Sequence, residues 1–161
     1  MDISDDKQQQ QQQNQIASKI LLKTDLHKKT SYLSSYKNFY FALKSKEVKR
    51  QYPKLLQLVF DQIIGNENSF NFSSLLLEDK AETFFKIALE NPEYIQSRII
   101  SFIIYQKDRI EKKEIASGTL RNYIKVIKLF CDMNNILNIN WKLIYRGLPA
   151  SVQVKRIKNF Q

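Results

Sequence analysis

The 161 residues contain one histidine, one cysteine, one tryptophan, three glycines and three prolines. A lone cysteine, Cys131, cannot close a disulfide within the chain, so the fold needs no oxidising compartment. The lone histidine, His27, lies between Leu26 and Lys28. No His-x-x-Arg motif and no histidine-based general acid or base can therefore be assembled, and His27 with Cys131 falls short of a zinc site. A glycine-rich phosphate loop is also missing. The strongest apolar run, IISFIIY from Ile99 to Tyr105, is far shorter than the roughly 18 residues that cross a bilayer. The first residues, MDISDDK, are acidic where a secretory signal is basic. So few glycines and prolines exclude an all-β domain, which needs many tight turns. The expectation is a cytoplasmic, all-α protein without enzymatic activity, metal or other cofactor.

What is present is positive charge. Lysine and arginine number 26 against 16 aspartates and glutamates, a formal +10. Such an imbalance points to polyanionic partners, nucleic acid or anionic membrane, rather than to a fold. By segment the net charge is −2 over residues 1–18, +8 over 19–54, −4 over 55–100 and +8 over 101–161. Two basic blocks flank an acidic middle.

Composition divides the chain in three. Residues 1–29 form a leader with six consecutive glutamines, Gln8 to Gln13, too polar to offset chain entropy and expected to be disordered or weakly helical. Residues 30–149 carry apolar positions at spacings of three and four, the mark of amphipathic helices. Residues 150–161 read as a basic tail, with Val152, Val154, Ile157 and Phe160 as a segment that could be donated to a partner.

Within the middle part the pattern predicts a first helix near Ser31–Lys44 and a second starting at Glu47 or Pro53 and ending at Gly65. A third follows in EDKAETFFKIALEN, and a long fourth from Pro92, with Glu111 and Glu114 as surface partners of Lys112 and Lys113. A fifth runs from Ser117, expected as its cap, to about Asn134. Trp141, Leu143, Ile144 and Leu148 then offer a closing apolar patch. The tyrosines Tyr32, Tyr36, Tyr52, Tyr94 and Tyr123 fall at core spacings, where an amphipathic ring is sufficient explanation.

The helix SGTLRNYIKVIKLFCDM carries a second stripe. On a helical wheel Tyr123, Ile124, Ile127, Phe130 and Cys131 gather near Leu120, while Arg121, Lys125 and Lys128 lie within about 60° of one another on the flank. Taken alone, such a run is an ordinary solvated face. A shift of 71 positions, however, lays VKRQYPKLLQLVFDQ over TLRNYIKVIKLFCDM with five identities in fifteen, Arg50 meeting Arg121, Lys54 meeting Lys125 and Asp61 meeting Asp132. Two helices would each present an arginine and a lysine one turn apart. Arginine grips phosphate or a guanine edge through two parallel bonds, and lysine supplies a mobile charge. Asn122 and Gln51, next to the arginines, could reach bases, although lone polar residues of this kind are ordinarily solvated.

Ser117, Thr119, Tyr123, Ile127 and Phe130, followed by NNILNINW and GLP, resemble the last helix and exit of the SAM-like core-binding domain of tyrosine recombinases, the phage integrases, and archaeal-type members in particular. KEVKRQYPKLLQLVFD is similar to an earlier helix of that domain. The resemblance covers Ser31 to Pro149 and implies a compact orthogonal bundle of about four to six helices that lies on one side of a duplex with two helices in major grooves. Carried over by position, Lys49, Arg50 and Lys54 on one helix and Arg121, Asn122, Lys125 and Lys128 on the other are the candidate DNA contacts. The family's catalytic domain, with its tyrosine nucleophile and Arg, Lys and His-x-x-Arg groups, has no counterpart after Pro149. The implied partner is double-stranded DNA in a nucleoid-associated setting, together with a full-length recombinase or self-association on DNA, and no membrane. The alternative is a helical protein-interaction module that regulates a full-length recombinase.

Overall fold

A computed structural model describes residues 7–15, 33–65 and 71–150. His27, Tyr32 and the tail residues after Ala150 lie outside them. Two units are distinguished, Met1–Ser34 and Ser35–Gln161. In the first, residues 7–15 form a helix, α1, with every side chain exposed. It has no apolar stripe to bury, as the glutamine run requires.

The second unit contains α2 (Ser35–Phe41), α3 (Lys46–Ile64), a 3₁₀ turn at Phe72–Ser74, α4 (Leu77–Glu90), α5 (Pro92–Glu111), α6 (Ser117–Met133) and α7 (Trp141–Arg146). Among the described residues every regular element is helical, so the fold is all-α.

Boundaries follow capping chemistry more closely than apolar spacing. α2 is shorter than its periodicity because Ala42 and Leu43 turn back to Phe39 O and Tyr40 O at 3.1 and 3.0 Å, and Ser45 then opens the next helix. The Ser45 side chain accepts from Val48 N at 3.2 Å, so α3 starts at Lys46 and Pro53 lies inside it. There the ring removes one donor, toward the Lys49 carbonyl. Asn91 ends α4 and caps α5 by accepting from Tyr94 N at 3.1 Å, with Pro92 at the first position. Ser117 is not a cap: Ala116 holds that place and makes no side-chain bond. Asn140 caps α7 through Leu143 N at 3.1 Å, while its own N–H donates to Gln96 Oε1 of α5 at 2.9 Å.

Four phenylalanines from four helices meet at the centre. Phe60 of α3 lies 4.9 Å from Phe84 of α4 and 5.1 Å from Phe130 of α6, centroid to centroid. Phe130 is also 6.1 Å from Phe39 of α2. Leu56, Val59 and Ile63 of α3, Ile95 and Ile99 of α5, and Leu120, Ile124 and Ile127 of α6 extend this core. α7 closes it with Ile144 and then Leu148, while Trp141 is half-buried and Leu143 is exposed.

Polar groups lock the helices at fixed angles. The Glu82 carboxylate of α4 accepts from both Ser35 N and Ser35 Oγ at 2.7 Å, satisfying the amino end of α2 from 47 residues away. Buried Asn134 donates to Ser35 O at 3.0 Å and Phe130 O at 2.9 Å, and accepts from Asn38 at 3.1 Å. Such satisfied buried groups specify one arrangement, since leaving any of them unpaired is costly.

Candidate nucleic-acid interface

α3 turns Leu56, Val59, Phe60 and Ile63 inward. Lys46, Arg50 and Lys54, all exposed, follow at i, i+4 and i+8 in a stripe that runs from the flank of the core face at Lys46 to the side opposite it at Lys54. Eight residues of helix rise about 12 Å, close to the width of a B-DNA major groove. Lys46 was not among the expected contacts, although its spacing to Arg50 was the available signal. Lys49 lies about 100° round the helix from Arg50. Its ammonium sits 5.9 Å from the centre of the Tyr40 ring, so it belongs to the α2–α3 corner and not to the stripe.

Arg50 meets Glu47 at 2.5 Å with both side chains mostly exposed, and Gln51 donates to the same carboxylate. The hydrogen bond from Arg50 holds the Glu47 carboxyl below its ordinary range, and the same bond raises the Arg50 guanidinium. An exposed pair of this kind is worth little in water, so Arg50 can exchange Glu47 for a phosphate at small cost. Lys54 borders an open groove of about 430 Å³ lined by Gln57, Leu58, Asp61 and Gln62. The Asp61 charge there is offset from beneath by Lys80 of α4, whose ammonium is 2.7 Å away.

α6 departs from the expectation. Arg121 is only half-exposed and donates Nη2 to the Pro149 carbonyl. Its Nε is buried without a hydrogen-bond partner. The planar fork that suits phosphate here straps the chain's exit to α6. Lys128 pairs with Asp132 at 2.7 Å and sits 6.0 Å over the Trp141 ring; the bond to Asp132 raises its ammonium above the usual range. Lys125 is exposed, as is Asn122, which lies about 100° away from the Arg121 side of the helix. Of the expected α6 stripe, Lys125 alone is exposed and outside any ion pair among the described residues.

The two copies of the fifteen-residue match, 71 positions apart, also differ in use: Asp61 partners a buried lysine on another helix, whereas Asp132 partners Lys128 on its own. At the end of α5 Lys112 pairs with Asp108 at 2.8 Å and Glu114 with Arg109 at 3.0 Å, in place of the expected pairing of Glu111 and Glu114 with Lys112 and Lys113. Glu111 and Lys113 take no part in these two pairs.

No family model, curated protein or solved structure matches this chain. Among the described residues no helix is long and apolar enough to cross a membrane. No cluster of three or more His, Cys, Asp or Glu side chains suited to a metal ion occurs among them either. Cys131 is buried, and that burial pushes its thiol well above the ordinary range, the opposite of what a nucleophile needs.

The strap has a direct consequence. Arg121→Ala is expected to lower stability by about 1–3 kcal/mol, the worth of a charge-assisted bond in a part-buried site. Lys125→Ala is expected to leave the melt unchanged. Urea unfolding of the two variants checks the contrast.

Proposed function

We propose that this chain is a duplex-DNA-binding module resembling the core-binding domain of a tyrosine recombinase, acting in DNA integration or recombination without a cleavage activity of its own. One observation carries the reading: Lys46, Arg50 and Lys54 form an exposed cationic stripe about one groove wide on a helix whose other face is core. α6 packs against α3 and its exposed Lys125 is the candidate contact from that helix, while Arg121 and Lys128 are engaged within the fold. Binding of this kind is dominated by counterion release and weakens steeply with salt.

Replacing Lys46, Arg50 and Lys54 together by glutamine is expected to make the log–log salt slope shallower by about 3, near 0.9 for each lost phosphate contact. All duplex sequences should be affected alike unless Arg50 reads a guanine. Fluorescence anisotropy titrations on short duplexes at four salt concentrations measure both quantities. An unchanged slope would remove α3 from the interface.

A second reading has its own support. α5 exposes Ile104 at 65% and Tyr105 at 56%, a face suited to a protein partner such as a full-length recombinase. It takes precedence if the parent shows no salt-sensitive binding to any duplex.

A further inference from the structure

The corner between α2 and α3 combines two features that sequence spacing did not join. Phe41, the last residue of α2, is 79% exposed, and its neighbour Tyr40 is 41% exposed. Single exposed apolar residues are common and need no explanation. These two, however, stand among lysines: Lys44 follows in the turn and Lys46 opens α3, both exposed, and Lys49 rests over the Tyr40 ring. From Leu33 onward the first acidic residue is Glu47, whose carboxylate is taken by Arg50 and Gln51.

The corner is also held in place. Phe39 and Leu43 on either side are buried. The turn is closed by bonds from Ala42 to Phe39 and from Leu43 to Tyr40, and Ser45 caps α3. Tyr40 is backed by the Tyr36 ring at 6.1 Å. The backbone that carries Phe41 is thereby fixed, so less chain entropy is lost when its exposed ring meets a planar ligand.

Building on the proposed DNA binding, we infer that this corner is a second contact with the nucleic acid, in which Phe41 stacks on an unpaired base while Lys44 and Lys46 hold the adjoining phosphates. Lys46 also heads the α3 stripe, so the corner and the stripe form one continuous track. A base presents a π-face whatever its identity, so the contact selects for an unstacked nucleotide and not for a sequence. The module would thus favour distorted or partly opened DNA over uniform duplex.

The test compares binding to a fully paired 20-mer with binding to the same 20-mer carrying one unpaired adenine, by anisotropy at fixed salt. The parent is expected to prefer the bulged DNA by about five-fold or more, the lower end of what one stacked base contributes. Phe41→Ala should abolish that preference while holding paired-duplex affinity within about two-fold, and Phe41→Trp should restore it. Lys44→Gln with Lys46→Gln should make the salt slope shallower by about 2 on either DNA. Paired-duplex binding with no bulge preference, or a preference that survives Phe41→Ala, would overturn the corner contact and leave the DNA reading standing. Absence of binding to both DNAs would overturn the two together. Phe41-dependent binding to phosphatidylserine vesicles without bulge preference would reassign the corner to a membrane surface.

Discussion

Asp61→Asn is expected to destabilise the fold by about 3–5 kcal/mol, the effect of stranding a buried charge. The Lys80 side chain is wholly buried, and its ammonium has Asp61 Oδ1 at 2.7 Å as its counter-charge. The contact is ionic in distance, yet neither Lys80 Nζ nor Asp61 Oδ1 makes a well-angled hydrogen bond. The Phe72 ring, 5.8 Å from the ammonium, adds a cation–π attraction that is secondary to the carboxylate. Asparagine keeps the shape of aspartate and removes the charge, so the lysine would be left in an apolar pocket without its counter-charge or would force the pocket open. Lys80→Met behaves differently. It fills the same space with apolar atoms and leaves no buried ammonium. Although Asp61 Oδ1 is itself buried, the carboxylate is about a third exposed and can turn toward water, so a smaller loss than that of Asp61→Asn is expected. Adding Lys80→Met to Asp61→Asn should recover most of the loss, since no buried charge then remains. Urea melts of the parent, the two single variants and the double variant complete the cycle. A loss below about 1 kcal/mol for Asp61→Asn would mean that the ammonium reaches water.

Periodicity alone made the apolar faces readable: Phe39, Val59, Phe60, Ile99, Phe102, Ile124, Ile127 and Phe130 all stand at helical spacings, and all are buried. It failed where one helix reaches another. Lys80 carries no local sign of its role, because nothing in its acidic-led helix reports that Asp61, a helix away, is its partner. Glu82 as the cap of Ser35, Asn134 as the tie to α2, and Arg121 as the strap on Pro149 join residues 47, 99 and 28 positions apart. A wheel gives the direction of a side chain but not what lies there. For the candidate interface this divided the expected residues: Arg50 and Lys54 kept solvent around them because α3 is covered on one side only, while Arg121 and Lys128 faced the returning chain and α7. Lys46 was legible from its i, i+4 spacing to Arg50. Phe41 was not, since an exposed phenylalanine at a helix end has the same pattern as a buried one.

The hub of rings sets the second large effect. Phe130→Ala is expected to cost about 3–5 kcal/mol, the range for removing a wholly buried aromatic side chain and leaving a cavity behind. Phe130 is fully buried, and its ring meets Phe60 at 85° and Phe84 at 75°, the edge-to-face geometry that adds to simple burial. Its removal withdraws partners from α2, α3 and α4 together, so the neighbours cannot all close in on the void and the upper part of the range is expected. Phe130→Leu should lose less, because most of the volume stays while the ring contacts go. Because Phe60 lies on the inner face of α3 and the cationic stripe on its outer face, Phe130→Leu should leave duplex affinity within about two-fold of the parent while lowering the urea midpoint. Equal losses for alanine and leucine would assign the stability to the edge-to-face contacts, and a small loss for both would mean that the four helices are held chiefly by the Glu82 and Asn134 ties.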